Sequence, residues 1–385
     1  MRTPIYLDYA ATTPVDRDVA AEMMKYLCFD GIFGNPSSAH GYGFKADDVI
    51  EEARTSISDF LGCKSKEIIL TSGGTESNNL AIKGLARAHK DNGNHIITAI
   101  TEHKAVLDSC RALEDEGFDV TYLVPEENGA ITANNLSQAI KSETALVSLM
   151  HVNNETGVIQ DIVALGNILK DRNIFFHVDA AQSVGKLPID LSAIPVDALS
   201  FCAHKIYGPK GIGGLFLRNR SKTKLNPIIT GGGQEFGVRP GTIPTHQVAG
   251  FAKAIEIAAQ TINEDYEHAA TLNKMMIESL REIDDILINS DLENSLPNIL
   301  NISVLGVDST SLITSLQHDI AISSGSACTS GAIEPSHVIK GMGIKGERLD
   351  SAVRISVGRY TNKDDLKTAL DKIINEVERI RIYAD

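Results

Sequence analysis

No run of apolar residues in this chain approaches the ~18 needed to cross a membrane, so no membrane partner is expected. Basic charge is also short. Lys and Arg number 36 against 50 Asp and Glu, a formal net charge of -14. Nucleic-acid surfaces normally carry a basic stripe, so direct nucleic-acid binding is not expected. Cysteine is sparse: Cys28, Cys63, Cys110, Cys202 and Cys328, with no CxxC pair and no adjoining His cluster. That pattern excludes a sequence-local metal site, and no metal is expected. The start, Met1 to Asp8, reaches an acidic residue too early for a secretory signal. With an odd thiol count, this points to a reducing cytoplasm. Repeats, low-complexity tracts and coiled-coil heptads are missing as well. Tryptophan is absent, which decides nothing.

What remains is an ordinary soluble composition, 43% hydrophobic and 22% charged, in 385 residues. That length suits two domains. The first two thirds alternate short β-rich runs with helical patterns. The expected strands are 67–71, 95–100, 120–124, 145–150, 174–178, 198–201 and 213–217. Helices are expected at 47–61, where Val49, Ile50, Ala53, Ile57, Phe60 and Leu61 recur at helical spacing before Gly62, and at 161–171. Such alternation implies a mainly parallel sheet covered on both faces. Ligands of such sheets bind beyond the carboxyl ends of the strands. From about Phe251 the texture changes to a long helix over 252–283. Strand-like pieces follow at 299–304, 320–323 and 352–356. A last helix opens with a capping-box-like Thr361-Asn-Lys-Asp364. The expected division is a large α/β domain over 15–255, with a smaller α+β domain formed by 1–14 and 256–385.

Several of the expected strand ends carry chemistry. Ser200-Phe-Cys-Ala-His-Lys-Ile-Tyr-Gly-Pro-Lys-Gly211 delivers Lys205, and Phe175-Phe-His-Val-Asp-Ala-Ala-Gln182 delivers Asp179. A Lys amine and a carboxylate on one rim suit pyridoxal phosphate. The amine forms a Schiff base with the aldehyde, and the carboxylate keeps the pyridine nitrogen protonated. Thr71-Ser-Gly-Gly-Thr-Glu-Ser-Asn78 joins a strand to a helix whose free N–H groups can meet a phosphate, with the Thr75 hydroxyl alongside. It has neither the Lys-Ser/Thr ending of a Walker A loop nor a dinucleotide fingerprint. His103 follows the next strand and can lie over a planar ring. Asn154, in His151-Val-Asn-Asn-Glu-Thr-Gly157, offers an amide. Each residue alone also fits a structural role, and their convergence on one rim is the specific signal.

Three further segments matter. Gly231-Gly-Gly-Gln-Glu-Phe-Gly-Val-Arg-Pro-Gly-Thr242 is glycine-dense, and reads either as a surface loop or as a segment approaching a phosphate. Ser323-Ser-Gly-Ser-Ala-Cys-Thr-Ser-Gly331 sets Cys328 among small residues, where a buried structural thiol is not expected. A thiol on such an arm suits sulfur transfer, with thiolate formation helped by a nearby cation or the substrate. Val353-Arg-Ile-Ser-Val-Gly358 supplies Arg354, a bidentate partner for a carboxylate.

Together these stretches resemble the cysteine desulfurases of the NifS/IscS type, fold-type I pyridoxal-phosphate enzymes of class-V aminotransferase kind. The resemblance runs from Tyr6-Leu-Asp-Tyr-Ala-Ala-Thr-Thr-Pro14 through Gly34-Asn-Pro-Ser-Ser-Ala-His40 to Gly358-Arg-Tyr360, and most specifically covers the segment around Cys328. It implies a homodimer that converts L-cysteine to L-alanine. It also implies a persulfide on Cys328 and sulfur delivery to an acceptor protein for iron–sulfur assembly or nucleic-acid thiolation. Lys205 would hold the cofactor and act as base. Asp179 would pair with the ring nitrogen, Gln182 with the ring oxygen, and His103 with the ring face. Thr75, Ser200 and His204 would hold the phosphate, with Thr242 of a second subunit. Asn35, Asn154 and Arg354 would fix the substrate carboxylate. The glycine-dense loop departs from the family's usual pattern at Gln234, Phe236 and Pro240, which bears on the dimer contact. The chain also stops at Asp385 without the tail by which some members dock a scaffold protein. A selenocysteine lyase, an aminotransferase or a non-catalytic sulfur carrier of the same fold are the alternative readings.

Overall fold

A computed structural model describes residues 3–220, 223–324 and 335–384. Its centre is a seven-stranded sheet in the order Ile68–Thr71, Gly213–Leu217, Ala198–Cys202, Phe175–Asp179, Thr144–Met150, His95–Ala99, Asp119–Leu123. Gly213–Leu217 is antiparallel to both of its neighbours, and the remaining pairings are parallel. The reversal follows from chain length, since a parallel return needs a crossover of a dozen or more residues and only a short turn separates Cys202 from Gly213.

The strands are apolar on both faces, and their period of two divides them between two cores. Ile68, Leu70, Val147, Leu149, Leu199, Phe201 and Phe216 pack with helices Gly41–Leu61 and Thr245–Leu280. Ile69, Leu146, Ala198, Leu215 and Leu217 pack with helices Gly74–Ala88 and Lys104–Glu114 on the other side.

A third core lies outside the sheet. The antiparallel strands Ile286–Ile288, Ile299–Val304 and Ala352–Ser356 pack with helices Ser309–Leu316 and Lys363–Ala384. Leu7 belongs to this core, because Ile5–Tyr6 pairs in parallel with Ile320–Ala321. The 36-residue helix Thr245–Leu280 links the regions. Its Val248–Ile255 stretch packs on the large sheet, and Ala269, Leu272, Met276 and Leu280 pack in the outer core.

The helix boundaries differ from the periodic expectation for local reasons. Gly41–Leu61 begins before Asp47 because the His40 ring accepts from the Gly43 N–H at 3.3 Å, and it ends where Gly62 adopts φ 69°. The last helix is capped by Asn362, whose side chain accepts from Asp365 N at 2.7 Å. Thr361 turns back to Gly358 N instead.

Candidate active site

The site is assembled on the carboxyl rim of the large sheet. Asp179 ends its strand one hydrogen-bonded neighbour away from the strand leading to Lys205. The Asp179 carboxylate is 6% exposed. It accepts from Asn78 Nδ2 at 2.6 Å and from Ala181 N at 3.0 Å. Asn78 comes from the helix that follows the Gly73–Gly74 turn, so this helix orients the acid as well as facing it. The Asn78 amide oxygen has no hydrogen-bond partner among the described residues.

Lys205 follows a single 3-10 turn, Ala203–Lys205. Its Nζ donates to the carbonyls of Ala10 at 2.5 Å and Ala11 at 2.7 Å. Gln182 Nε2 donates to the same Ala10 carbonyl at 2.8 Å. Residues 10 and 11 therefore tie the amine to the amide. His103 caps helix Lys104–Glu114, with Nδ1 accepting from Ala105 N at 3.1 Å. That bond places the proton of a neutral ring on Nε2. Burial holds the His103 pKa below the ordinary histidine value, partly opposed by the Asp179 charge, while Lys205 adds to the depression.

The Gly73–Gly74–Thr75 turn has the features of an anion cradle. Gly73 sits at φ 148°, a conformation L side chains rarely adopt, and a Cβ built on it meets nothing within 4 Å. The helix behind it has no side-chain cap, so its first N–H groups remain for a ligand. Thr75 is exposed on this turn. His204 faces the N-terminal segment, with Nδ1 3.1 Å from Thr12 Oγ1. Burial and the charge of Lys205 lower its pKa to about 4.

One expected phosphate ligand is not at this rim. Ser200 is fully buried, and its hydroxyl bonds His177 Nε2 at 2.9 Å. His177 Nδ1 in turn meets Ser148 Oγ at 2.8 Å. Side chains two apart share a strand face, so sequence alone does not distinguish Ser200 from Cys202 in depth. The register pairs Ser200 with Asp179, and Cys202 occupies the rim beside Gly74. A Cβ on Gly74 would approach the Cys202 sulfur at 3.9 Å. Burial raises the Cys202 thiol to about 11.

Arg354 and Asn154 do meet. Arg354, on strand Ala352–Ser356, is 3% exposed. It donates from Nη1 to the Asn154 carbonyl at 2.9 Å and from Nη2 to Asp8 at 2.7 Å. Arg354 Nε and Asn154 Oδ1 are buried without hydrogen-bond partners among the described residues. Asn35 is not brought to them by any hydrogen bond. It is exposed, and its side chain accepts from Ser37 N at 3.0 Å. Thr242 is exposed at the end of the glycine-dense loop. That loop is firmly held. Buried Glu235 receives both Nη groups of Arg54, at 2.8 and 2.9 Å, and the Leu70 N–H. Arg239 pairs with Glu76 beside Thr75 at 2.8 Å. Cys328 lies outside the described residues.

Sequence reasoning did not assign Asn78, Glu102 or Lys186. Glu102 is fully enclosed, with one oxygen on Met150 N at 2.8 Å and the other unpartnered. Burial pushes its pKa well above the ordinary carboxyl value. Asn78 lies inside the quoted Thr71–Asn78 motif, but only its contact with Asp179 reveals a role. Among the described residues, no helix is long and apolar enough to cross a membrane.

The chain is similar to known proteins over nearly its whole length. The Aminotransferase class-V family matches residues 5–368. The cysteine desulfurase IscS of Buchnera aphidicola subsp. Acyrthosiphon pisum (strain 5A) is 51% identical over 99% of this chain and 94% of its own length. A solved NifS-like protein superimposes with a TM-score of 0.91 at 34% identity, covering 98% of this chain and all of that one. A structure described as SspA in complex with cysteine has a TM-score of 0.83 at 39% identity, over 93% of this chain and all of that one. With its lysine, aspartate and anion cradle on one sheet rim, this chain belongs to the class-V aminotransferase family and, within it, to the cysteine desulfurases.

Proposed function

We propose that the chain uses pyridoxal 5'-phosphate to move sulfur from L-cysteine onto Cys328, releasing L-alanine. The balance needs no outside oxidant: cysteine exchanges its C–S bond for a C–H bond, and the Cys328 thiol becomes a persulfide. The observation that carries this reading is Lys205 and Asp179 at the ends of adjacent strands, facing the open Gly73 turn. The residues suit the cofactor: an uncapped helix N-terminus for the phosphate, a buried carboxylate for the ring nitrogen and an amine within the same enclosure. When bound, the cofactor supplies an electron sink that makes the bond to sulfur cleavable.

The remaining roles belong to the protein. Lys205 would tether the cofactor and carry a proton to and from the substrate α-carbon. Asp179, oriented by Asn78, would hold the ring nitrogen in its charged form. Gln182 would donate to the ring oxygen, and His103 would supply an imidazole to the ring face. The Gly74 and Thr75 N–H groups, the Thr75 hydroxyl and His204 hold the phosphate, with Cys202 in the place first expected for Ser200. Arg354 and Asn154 receive the substrate carboxylate, for which the unpartnered Nε and the unpartnered amide oxygen offer capacity. Asn35 joins them through movement of its turn. Cys328 takes the sulfur.

A homodimer completes the site through Thr242 of the second copy. The supporting surface is an exposed apolar group near Asn35. Phe29 is 85% exposed and stacks on Phe33, which contacts Tyr42; Phe44 is 58% exposed. Such patches on soluble proteins mark interaction sites, and a second copy covering this face is the occupant we favour. The acceptor is a cytoplasmic protein of iron–sulfur assembly or a thiolation system.

The test is cysteine turnover with alanine and sulfide both quantified. Equal alanine and persulfide-derived sulfide are expected from the wild type. Cys328→Ser should abolish sulfide while the cofactor stays bound. Undiminished sulfide from that variant would remove Cys328 from the reaction. A monomeric mass by light scattering would overturn the dimer.

A further inference from the structure

Lys186 is a half-buried amine that the scheme above does not use. It lies on the turn after Asp179, four residues beyond Gln182. Its Nζ donates to Gln182 Oε1 at 2.8 Å, its only hydrogen bond to a side chain among the described residues. It lines a cavity of about 50 Å³ together with Lys205, Tyr207 and Asn298. The one carboxylate in that cavity wall, Asp265, is paired with Arg359 at 2.7 Å. Among the described residues, no carboxylate lies within 4.0 Å of the Lys186 amine. The charges acting on it are Lys205 and Arg354, both like in sign, and Cys202. Burial, reinforced by Lys205, lowers its pKa to about 7.

An amine placed here without a counter-ion destabilises the fold unless its hydrogen bond matters. The bond it makes fixes an amide. Gln182 can be oriented two ways, and two neighbours choose between them. Lys186 donates to the amide oxygen, and its ammonium form, with three donors and no acceptor, requires that oxygen on its side. The Ala10 carbonyl, an acceptor, requires the amide nitrogen on the other. The second hydrogen of Nε2 is left to point into the site.

Building on the reading that Gln182 meets the cofactor's ring oxygen, we propose that Lys186 is a positioning residue: it sets the Gln182 amide so that the nitrogen, not the oxygen, faces that ring oxygen. Lys186 touches neither substrate nor cofactor and acts only through Gln182.

The experiment uses the holoenzyme and the visible absorbance of the lysine-bound cofactor, titrated with pH. In Lys186→Met the ring oxygen loses part of its hydrogen bond and binds a proton more readily. The titration midpoint should therefore rise by roughly half a unit to one unit, the size of one net hydrogen bond. Equilibrium binding of pyridoxal phosphate to the apoprotein should weaken by about threefold to tenfold over the same range. Lys186→Arg, which keeps a donor, should recover most of both. In a Gln182→Ala background, adding Lys186→Met should change the midpoint no further. An unchanged midpoint and affinity in Lys186→Met would overturn the proposal, as would a full-sized shift in the Gln182→Ala background. Denaturant unfolding of each apoprotein separates a loss of stability from these readouts. If the wild-type protein forms no lysine-bound chromophore at all, it is the cofactor reading that fails. If the chromophore forms and Lys186→Met leaves it unaltered, the positioning role alone fails.

Discussion

Two groups of buried polar side chains meet at the large sheet, and they differ in one respect. The inner layer, Ser148–His177–Ser200, is closed: both ring nitrogens of His177 are bonded and both hydroxyls are used. The rim group holds Asp179, Asn78, Glu102, Asn154 and Arg354, and all but the first of these keep atoms without a hydrogen-bond partner among the described residues. Buried polar groups are nearly always satisfied in a finished fold. A closed network specifies the sheet, whereas an open one specifies what the sheet is for. The inner layer sits on three adjacent strands of the large sheet, whereas the rim group takes only Asp179 from those strands and draws the rest from a helix, two loops and strand Ala352–Ser356.

Substitutions in each layer should separate these roles. The largest effect is expected at the rim. Lys205→Ala removes both tether and base, and alanine formation should fall by about 10³-fold or more. Borohydride labelling should be lost with it. Asp179→Ala removes the partner of a buried charge and should cost roughly 10²-fold in turnover, with faster loss of cofactor on dialysis. In the inner layer, His177→Leu leaves two buried hydroxyls unpaired. It should lower unfolding stability by about 1–3 kcal/mol, read from urea midpoints, with alanine formation per folded molecule unchanged. A fall in turnover comparable to that of Asp179→Ala would erase the distinction.

The smallest effect is one of pH. Burial holds His177 neutral, with its pKa lowered to about 3 from an ordinary 6.5. The unfolded chain then binds a proton that the folded one refuses. Stability is full above about pH 6.5 and declines as pH falls toward 3. His151 and His204, each lowered to about 4 by burial first, act in the same sense. His177→Leu should flatten this decline by one proton's share, measured as unfolding free energy between pH 7 and 5.

Much of the rim was legible because apolar strands ending in a lone polar residue stand out: His103, Asp179 and Lys205 all follow such runs. Depth was not legible. Ser200 and Cys202 obey the same alternation, and only the bond of Ser200 to buried His177 and the approach of Cys202 to Gly74 assign one to the interior and the other to the cradle. Orientation was hidden for the same reason. Asn78 and Lys186 act on residues that the chain brings near by folding, 101 positions away for Asn78 and one helical turn away for Lys186. The reversed strand Gly213–Leu217 left a trace in the short connection before it. The long helix begins at Thr245 rather than 252 because Pro244 can precede a helix start while the apolar pattern of that first turn is weak.

The opening stretch of the chain is built like a gauge rod. Ile5 and Tyr6 are clipped to the outer core, Asp8 is clamped to Arg354, and two residues further on the peptide carbonyls cradle the Lys205 amine. Any sliding of the outer core against the large sheet is thus read out, residue for residue, at the reacting nitrogen. Inserting a single glycine between Tyr6 and Ala10 would put that measurement out of true without altering one side chain of the site.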